Sequence, residues 1–315
     1  MSAFVVAAFA VLAGGEVAGP FEKAAEISRA ASGISMLVME AGKIVFEEYP
    51  NGGSADQPTE LASGTKSFSG VLALCAQRDG LLKLDDKVSD TLTEWRADER
   101  KSITIRQLLS LSSGMPGGTV GRVPSYADAI LQKSVAAPGT RFIYGPVPFQ
   151  CFGELLRRKL LPQKLSVGDY LEKNILKPAG VKCDRWRRDE DDNIHLPSGA
   201  FLTARDWAKF GEWIRLDTKR TLPKKDLADM FRSSAARPGY GLTWWLPSKG
   251  PVGVSLLKQS ATSKKVPVEI WEAAGAGGQR LYIVPSRRLV VVRQAPVRLR
   301  DNFSDPDFLA ALLGD

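Results

Sequence analysis

The sequence predicts an α/β fold of the α+β kind: an antiparallel sheet built from both chain ends, flanked by helices, with a mainly helical region inserted. Three observations predict it. Ile34 to Met39 and Ile44 to Tyr49 read as a hairpin across Glu40-Ala41-Gly42-Lys43. Near the other end, Gly241 to Leu246, Val268 to Trp271, Gln279 to Val284 and Leu289 to Arg293 read as strands, with Pro285-Ser286-Arg287-Arg288 turning between the last two. From 84 to 195, helical spacing of apolar residues dominates. The chain therefore divides into a candidate leader at 1–19, an α/β sheet domain from 20–62 and 196–315, and a mainly helical domain at 63–195.

Taken in order, Pro20 to Ala31 is an amphipathic helix with Phe21, Ala24, Ala25 and Ile27 inward and Gly33 as its stop. Phe68, Val71, Leu72, Leu74, Cys75, Leu81 and Leu82 recur three and four apart, which predicts a buried helix opening at Ser63 and stopping at Gly80. Ile103 to Gly114 follows, with a threonine cap and a closing glycine. Tyr126 to Lys133, Gln150 to Leu161 and Val167 to Leu176 are further helices. A tight Pro197-Ser198-Gly199 turn precedes a capped helix from Thr203 to Trp213, and Phe308 to Leu313 closes the chain. Trp244 and Trp245 alternate across their strand, so one faces the core and the other can face a pocket.

With 315 residues, 44% hydrophobic and 25% charged, the chain holds one large domain or two intertwined ones, and neither disorder nor coiled coil fits. The formal charge is +8 and the pI about 9.4, yet the cations are spread out, with only short clusters such as Arg185-Trp186-Arg187-Arg188 and Arg287-Arg288. That dispersion argues against a nucleic-acid binder and for solvation or mild attraction to anionic surfaces or substrates. Cys75, Cys151 and Cys183 cannot all pair, and two lie in apolar helices, so free buried thiols are expected. Residues 4–13 form an apolar run too short to span a bilayer. It suits the central region of a signal peptide cut near Ala13 or Ala18, although no positive residue precedes it. Export to a bacterial periplasm or the outside is the expectation, with a truncated or mis-started leader, a buried N-terminal helix and a cytoplasmic location as the alternatives.

Ser63-Gly64-Thr65-Lys66 carries the chemistry. Residues three apart on a helix share a face, so the Lys66 amine can reach the Ser63 hydroxyl. A serine hydroxyl attacks only when a base takes its proton, and a lysine is a base only when neutral. Burial and the positive end of a helix both disfavour the ammonium. The Ser63 backbone NH, unpaired at a helix start, can form half of an oxyanion hole. An ordinary helix start with a solvated lysine is the bland alternative. The motif recurs at Ser255-Leu256-Leu257-Lys258, which lies among glycines, prolines and lysines and reads as a loop. His195, the only histidine, would have to serve any Ser-His-Asp triad, and no Gly-x-Ser-x-Gly elbow exists. The acidic run Asp189 to Asp192 matches no calcium loop and reads as solvated.

The element order and Ser63-x-x-Lys66 together resemble the serine β-lactamase and penicillin-binding superfamily, in its class C-like branch of carboxypeptidases, esterases and amide hydrolases. Leu108-Leu109-Ser110-Leu111-Ser112-Ser113-Gly114-Met115 is similar to that branch's leucine-rich segment, with Leu111 where histidine is usual. Pro138-Gly139-Thr140-Arg141-Phe142-Ile143-Tyr144 is similar to its second motif, and Gly153 stands where the family has a helical glycine. Ala273-Ala274-Gly275-Ala276-Gly277-Gly278-Gln279 is similar to the strand turn of its esterases and amide hydrolases. The resemblance covers about residues 33 to 300.

It implies a β-lactamase/transpeptidase-like fold and a serine hydrolase needing no cofactor and no metal. Ser63 would form an acyl-enzyme, Lys66 relay the proton and Tyr144 assist as a second acid or base, its pKa lowered by the lysine ammonium. The Ala276 NH would join the Ser63 NH at the oxyanion, with Gly275, Gln279 and Arg280 beside the substrate. Two departures shape the substrate. Pro146 replaces the asparagine of Tyr-x-Asn, and Ala273 replaces the cation of the third motif, for which Arg280 is the nearest substitute. Both point away from penicillin-type substrates and toward a small-molecule ester or amide. A non-catalytic binder or sensor on the same scaffold and a true β-lactamase or D,D-peptidase are the rivals.

Overall fold

Strands from both ends of the chain meet in one sheet. The structure is a computed structural model that describes residues 19–119, 121–249, 268–298 and 301–314. The apolar run at 4–13 and the second Ser-x-x-Lys at 255–258 lie outside the described residues. The strands are β1 (Ser35–Glu40), β2 (Lys43–Glu48), β3 (Thr59–Glu60), β4 (Arg185–Trp186), β5 (Ala200–Leu202), β6 (Trp271–Gly275), β7 (Gln279–Val284) and β8 (Leu289–Gln294). The helices are α1 (Pro20–Ala30), α2 (Ser67–Arg78), α3 (Ile105–Leu109), α4 (Tyr126–Leu131), α5 (Val147–Leu160), α6 (Val167–Leu171), α7 (Ala204–Thr221), α8 (Lys224–Met230) and α9 (Asp305–Leu313).

The main sheet runs β2-β1-β8-β7-β6, antiparallel throughout. Leu37 faces Val292, which faces Leu281, which faces Ala273. Leu289 to Val292 is continuously apolar because β8 is covered on both faces. Leu37, Leu281, Val290 and Val292 join the large core that includes α2, α5 and α7. Met36, Val38, Tyr282 and Val291 join a second core with Ala24 and Ala25 of α1 and Phe308, Leu309 and Leu312 of α9. A small sheet, β3-β5-β4, adjoins the start of the 63–66 turn.

Several boundaries differ from expectation, each for a local reason. The helix expected over 103–114 is only Ile105–Leu109, capped by Thr104 with Gln107 in a capping box, because Leu111 and Gly114 take positive φ and turn the chain. The helix from Val167 passes into a π-helical turn at Glu172–Leu176. The expected strand Gly241–Leu246 is a bent segment with bridges at Tyr240 and Trp245, since Thr243 has φ +70°. The strand expected at 268–271 lies further on, at Trp271–Gly275, and the helix expected to end at Trp213 reaches Thr221. The three cysteines are free, Cys75 and Cys151 buried and Cys183 half-buried. Among the described residues, no helix is long and apolar enough to cross a membrane.

Helix α5 follows the second-motif segment into the core, and its seat depends on Gly153. A Cβ there would stand 2.3 Å from the Tyr126 ring, whose hydroxyl donates to the Ile194 carbonyl at 2.9 Å. Overpacking of this kind costs about 1–3 kcal/mol. Gly153→Ala is expected to lower stability by that amount in denaturant unfolding, despite alanine's better helix propensity.

Candidate active site

The turn that carries Ser63 and Lys66 is built where β3 runs out. The Leu61 NH donates to the Ala200 carbonyl at 2.9 Å, and Ala62 then takes φ +47°, a left-handed conformation uncommon for alanine. The expected α-helix does not open at Ser63: Ala62–Lys66 is a 3-10 turn, and α2 begins at Ser67. The difference sharpens the chemistry, because three residues per turn make positions i and i+3 eclipse. Lys66 Nζ stands 2.8 Å from Ser63 Oγ. From 61 to 76 every residue is buried except Ser63, which is partly exposed. Gly64 lies under Trp207, whose ring a Cβ would approach to 2.9 Å.

Lys66 is 5% exposed, and its amine also donates to the Pro197 carbonyl at 2.9 Å. Its other neighbours are rings, with Nζ 4.9 Å from the centroid of Tyr144 and 5.5 Å from that of Phe149. Among the described residues no carboxylate pairs with it. Burial without a counter-charge brings its pKa down to about 7. A substantial fraction of the amine is therefore neutral at neutral pH. Lys66 also stands at the N-terminus of α2, whose dipole acts in the same direction.

Tyr144 arrives on a loop pinned by the Ile143 NH, which donates to the Leu111 carbonyl at 2.9 Å. Gly145 lets that loop press on the 117 backbone, where a Cβ would fall 1.8 Å from the Gly117 oxygen. The phenol oxygen is buried beside Ser63 but meets no partner with good hydrogen-bond geometry. Burial raises its pKa to about 12, partly countered by the Ser63 hydroxyl and the Arg280 charge. The expected lowering by a lysine ammonium is thus reversed: desolvation outweighs neighbouring charge, and the group is a phenol. Pro146 opens α5 and offers no side-chain donor.

The third motif's strand, β6, ends against the same turn. A Cβ on Gly275 would lie 2.1 Å from the Leu61 oxygen and 3.1 Å from the Gly64 nitrogen, so the backbone carrying Ala276 abuts the backbone carrying Ser63. Gly277 and Gly278 then take φ +79° and +75°. Buried Arg293 holds this turn: Nη1 donates to the Gly278 and Gly277 carbonyls at 2.7 and 3.2 Å, and Nη2 to the Ala31 carbonyl at 2.6 Å. Burial lowers its pKa to about 10. Two residues expected beside the substrate are engaged elsewhere. Gln279 is fully buried, with its amide donating to the Ala295 carbonyl and accepting from the Ala295 NH. Arg280 is clamped by both oxygens of Asp305 at 2.6 and 2.8 Å and donates to the Gly275 carbonyl at 3.0 Å. Its side chain shares a face with Tyr282 and Asp305, so Arg280 does not replace the missing cation.

Ser63, Lys66 and Tyr144 thus converge, with the 275–278 turn beside them. A model of the beta-lactamase family matches residues 15–308. The chain belongs to that family. The protein Flp of Staphylococcus aureus strain MW2 is 27% identical over 184 residues, 52% of this chain and 36% of that protein, so this family member spans little more than a third of that relative. A D-stereospecific amidohydrolase from a Streptomyces species superposes with a TM-score of 0.71 at 16% identity, covering 92% of this chain and 99% of that one. A class C beta-lactamase from Rhodobacter sphaeroides gives 0.68 at 19% identity, over 93% and 98%. These structural likenesses carry the fold.

This family member adds groups that sequence reasoning missed. Pro197 was visible only as a turn, and its carbonyl's role depends on a contact 131 positions from Lys66. Phe149, just before the helix expected from Gln150, carried no sequence signal for its place beside Lys66. Of the tryptophan pair, Trp244 packs on Phe210 and Phe231, whereas Trp245 lies 5.9 Å from the Tyr144 ring. His195 has no part in the Ser63 contacts, and Asp189 accepts from the Asp191 and Asn193 backbone, which folds the acidic run on itself.

The buried amine has a stability signature. A lysine whose pKa falls to about 7 penalises the fold fully below pH 7, and the penalty fades as pH rises toward the amine's ordinary value. Lys66→Met is therefore expected to raise the melting temperature by a few degrees at pH 7, the gain shrinking by pH 10. Calorimetric melting across that range reads it.

Proposed function

We propose that this beta-lactamase family member is a serine hydrolase that cleaves an ester or small amide through an acyl-serine intermediate. The observation that carries the reading is the 2.8 Å approach of a buried, unpaired amine to the one partly exposed residue of its segment. Neutral Lys66 takes the Ser63 proton as Oγ attacks the carbonyl carbon. The oxyanion is held by the Ser63 and Ala276 NH groups. The Tyr144 phenol, protonated at neutral pH, gives its proton to the leaving oxygen or nitrogen and regains one from the Lys66 ammonium. Water, activated by the same pair, attacks the acyl carbonyl and restores Ser63. Pro146 and Ala273 lack the donor and the cation that the family places there, which favours esters and small amides over β-lactams. The amidohydrolase among the structural neighbours is consistent with this choice.

A fluorophosphonate probe followed by intact mass is expected to give a single adduct that Ser63→Ala abolishes; an unlabelled wild-type protein would support the binder or sensor reading instead. The labelling rate should climb with pH to a plateau above about 7, where Lys66 is neutral. Tyr144→Phe should lower ester turnover about 100-fold. Faster turnover of a chromogenic cephalosporin than of a nitrophenyl ester would move the assignment to a true β-lactamase.

A further inference from the structure

Next to the reactive serine lies an aromatic wall with a cation set into it. Phe142, Tyr144, Tyr240 and Trp245 pack ring to ring, with centroids 5.2 Å apart for Phe142 and Tyr240, 4.8 Å for Tyr240 and Trp245, and 5.9 Å for Tyr144 and Trp245. Tyr240 and Trp245 are buried at its base, whereas Phe142 and Tyr144 are partly exposed at its mouth. Trp245 also bridges to Glu272 of β6, so the wall runs beside the strand that ends at Gly275. The Arg237 guanidinium stands 5.5 Å from the Phe142 centroid and 5.9 Å from that of Trp245.

Arg237 is half-buried, and its Nε is shielded from solvent with no hydrogen-bond partner. Among the described residues no carboxylate pairs with it. The Tyr240 hydroxyl, packed on the same rings, is likewise buried and unpartnered. Orphaned donors of this kind are costly, and ring faces compensate a guanidinium only in part. The loop that carries Arg237 is rigidly closed, with the Ser234 NH donating to the Tyr240 carbonyl at 2.8 Å and the Tyr240 NH to the Arg237 carbonyl at 2.9 Å. Arg280 makes the contrast, because its fork is already filled by Asp305.

We infer that Arg237 reads a carboxylate on the substrate, making this a hydrolase selective for anionic esters or amides. The inference rests on the acyl-serine reading above. A substrate carboxylate would satisfy the guanidinium, while the apolar remainder lies against the Phe142 ring at the mouth of the wall. Arg237 is thus a specificity-determining residue, supplied by a segment far from Ala273.

Two probe pairs test it. One compares para-nitrophenyl hydrogen glutarate with neutral para-nitrophenyl butyrate, which places the carboxylate on the acyl side. The other compares meta-carboxyphenyl butyrate with phenyl butyrate, which places it on the leaving group. Arg237→Gln is expected to lower kcat/KM about 10- to 100-fold on a charged member, with the neutral esters changed less than about 3-fold. Arg237→Lys should recover part of the preference, and Arg237→Glu should reverse it. Equal losses on charged and neutral esters, or a wild type indifferent to charge, would overturn the inference while leaving the hydrolase standing. If no ester is turned over and no serine adduct forms, the hydrolase reading falls. Calorimetric binding of methyl hydrogen glutarate to Ser63→Ala then still decides on anion recognition: about 10-fold weakening by Arg237→Gln supports it, and unchanged affinity rejects it.

Discussion

An amine placed in a dry, ring-lined site, with no acid beside it among the described residues, organises this molecule. Most buried cations are neutralised by a carboxylate, as Arg280 is by Asp305. Lys66 is offered instead two oxygens that carry no net charge, the Ser63 hydroxyl and the Pro197 carbonyl. A carboxylate there would stabilise the ammonium and remove the base. The absence of a carboxylate partner among the described residues is therefore what lowers the amine's pKa, and the surrounding fold must hold closed against the solvation that the amine would gain on opening. The fully buried stretch from Lys66 to Ala76, with Trp207 over Gly64, meets that demand.

The sheet supplies the second half of the site by a different device. The 276–278 turn must sit against the Ser63 backbone, and three side chains from outside the turn fix it. Arg293 gathers its carbonyls, Gln279 ties its exit to Ala295, and Arg280 bonds the Gly275 carbonyl while locked to Asp305 of α9. Polar groups that a sequence reading assigns to the substrate thus serve to position the backbone that would face it.

How much of this the sequence disclosed follows from the range of the interactions. The hairpin at 35–48 and the strands at 279–294 are set by local patterning, and they appear where the spacing puts them. Ser63 and Lys66 are neighbours along one turn, so their meeting was legible even though the turn is 3-10 and not α. Tyr144 was reachable only through resemblance, since nothing local says that residue 144 returns to residue 63. The fates of Arg280 and Gln279 hinge on which face of β7 meets α9 and on a contact with Ala295, neither of which periodicity encodes. The direction of the Tyr144 shift was likewise out of reach, because the balance of burial against charge is a property of the assembled site.

The interleaving of chain ends carries a consequence for the order in which the molecule is made. Ser63 and Lys66 leave the ribosome well before Pro197, β6 and Arg293, and β1 cannot join β8 until the chain is made through residue 294. Until then the lysine is wetted and charged, and the serine beside it is an ordinary alcohol. The enclosure of the amine is thus completed only once β6 to β8 are in place, so a polypeptide stopped before them carries Ser63-x-x-Lys66 without the burial that lowers the pKa of Lys66.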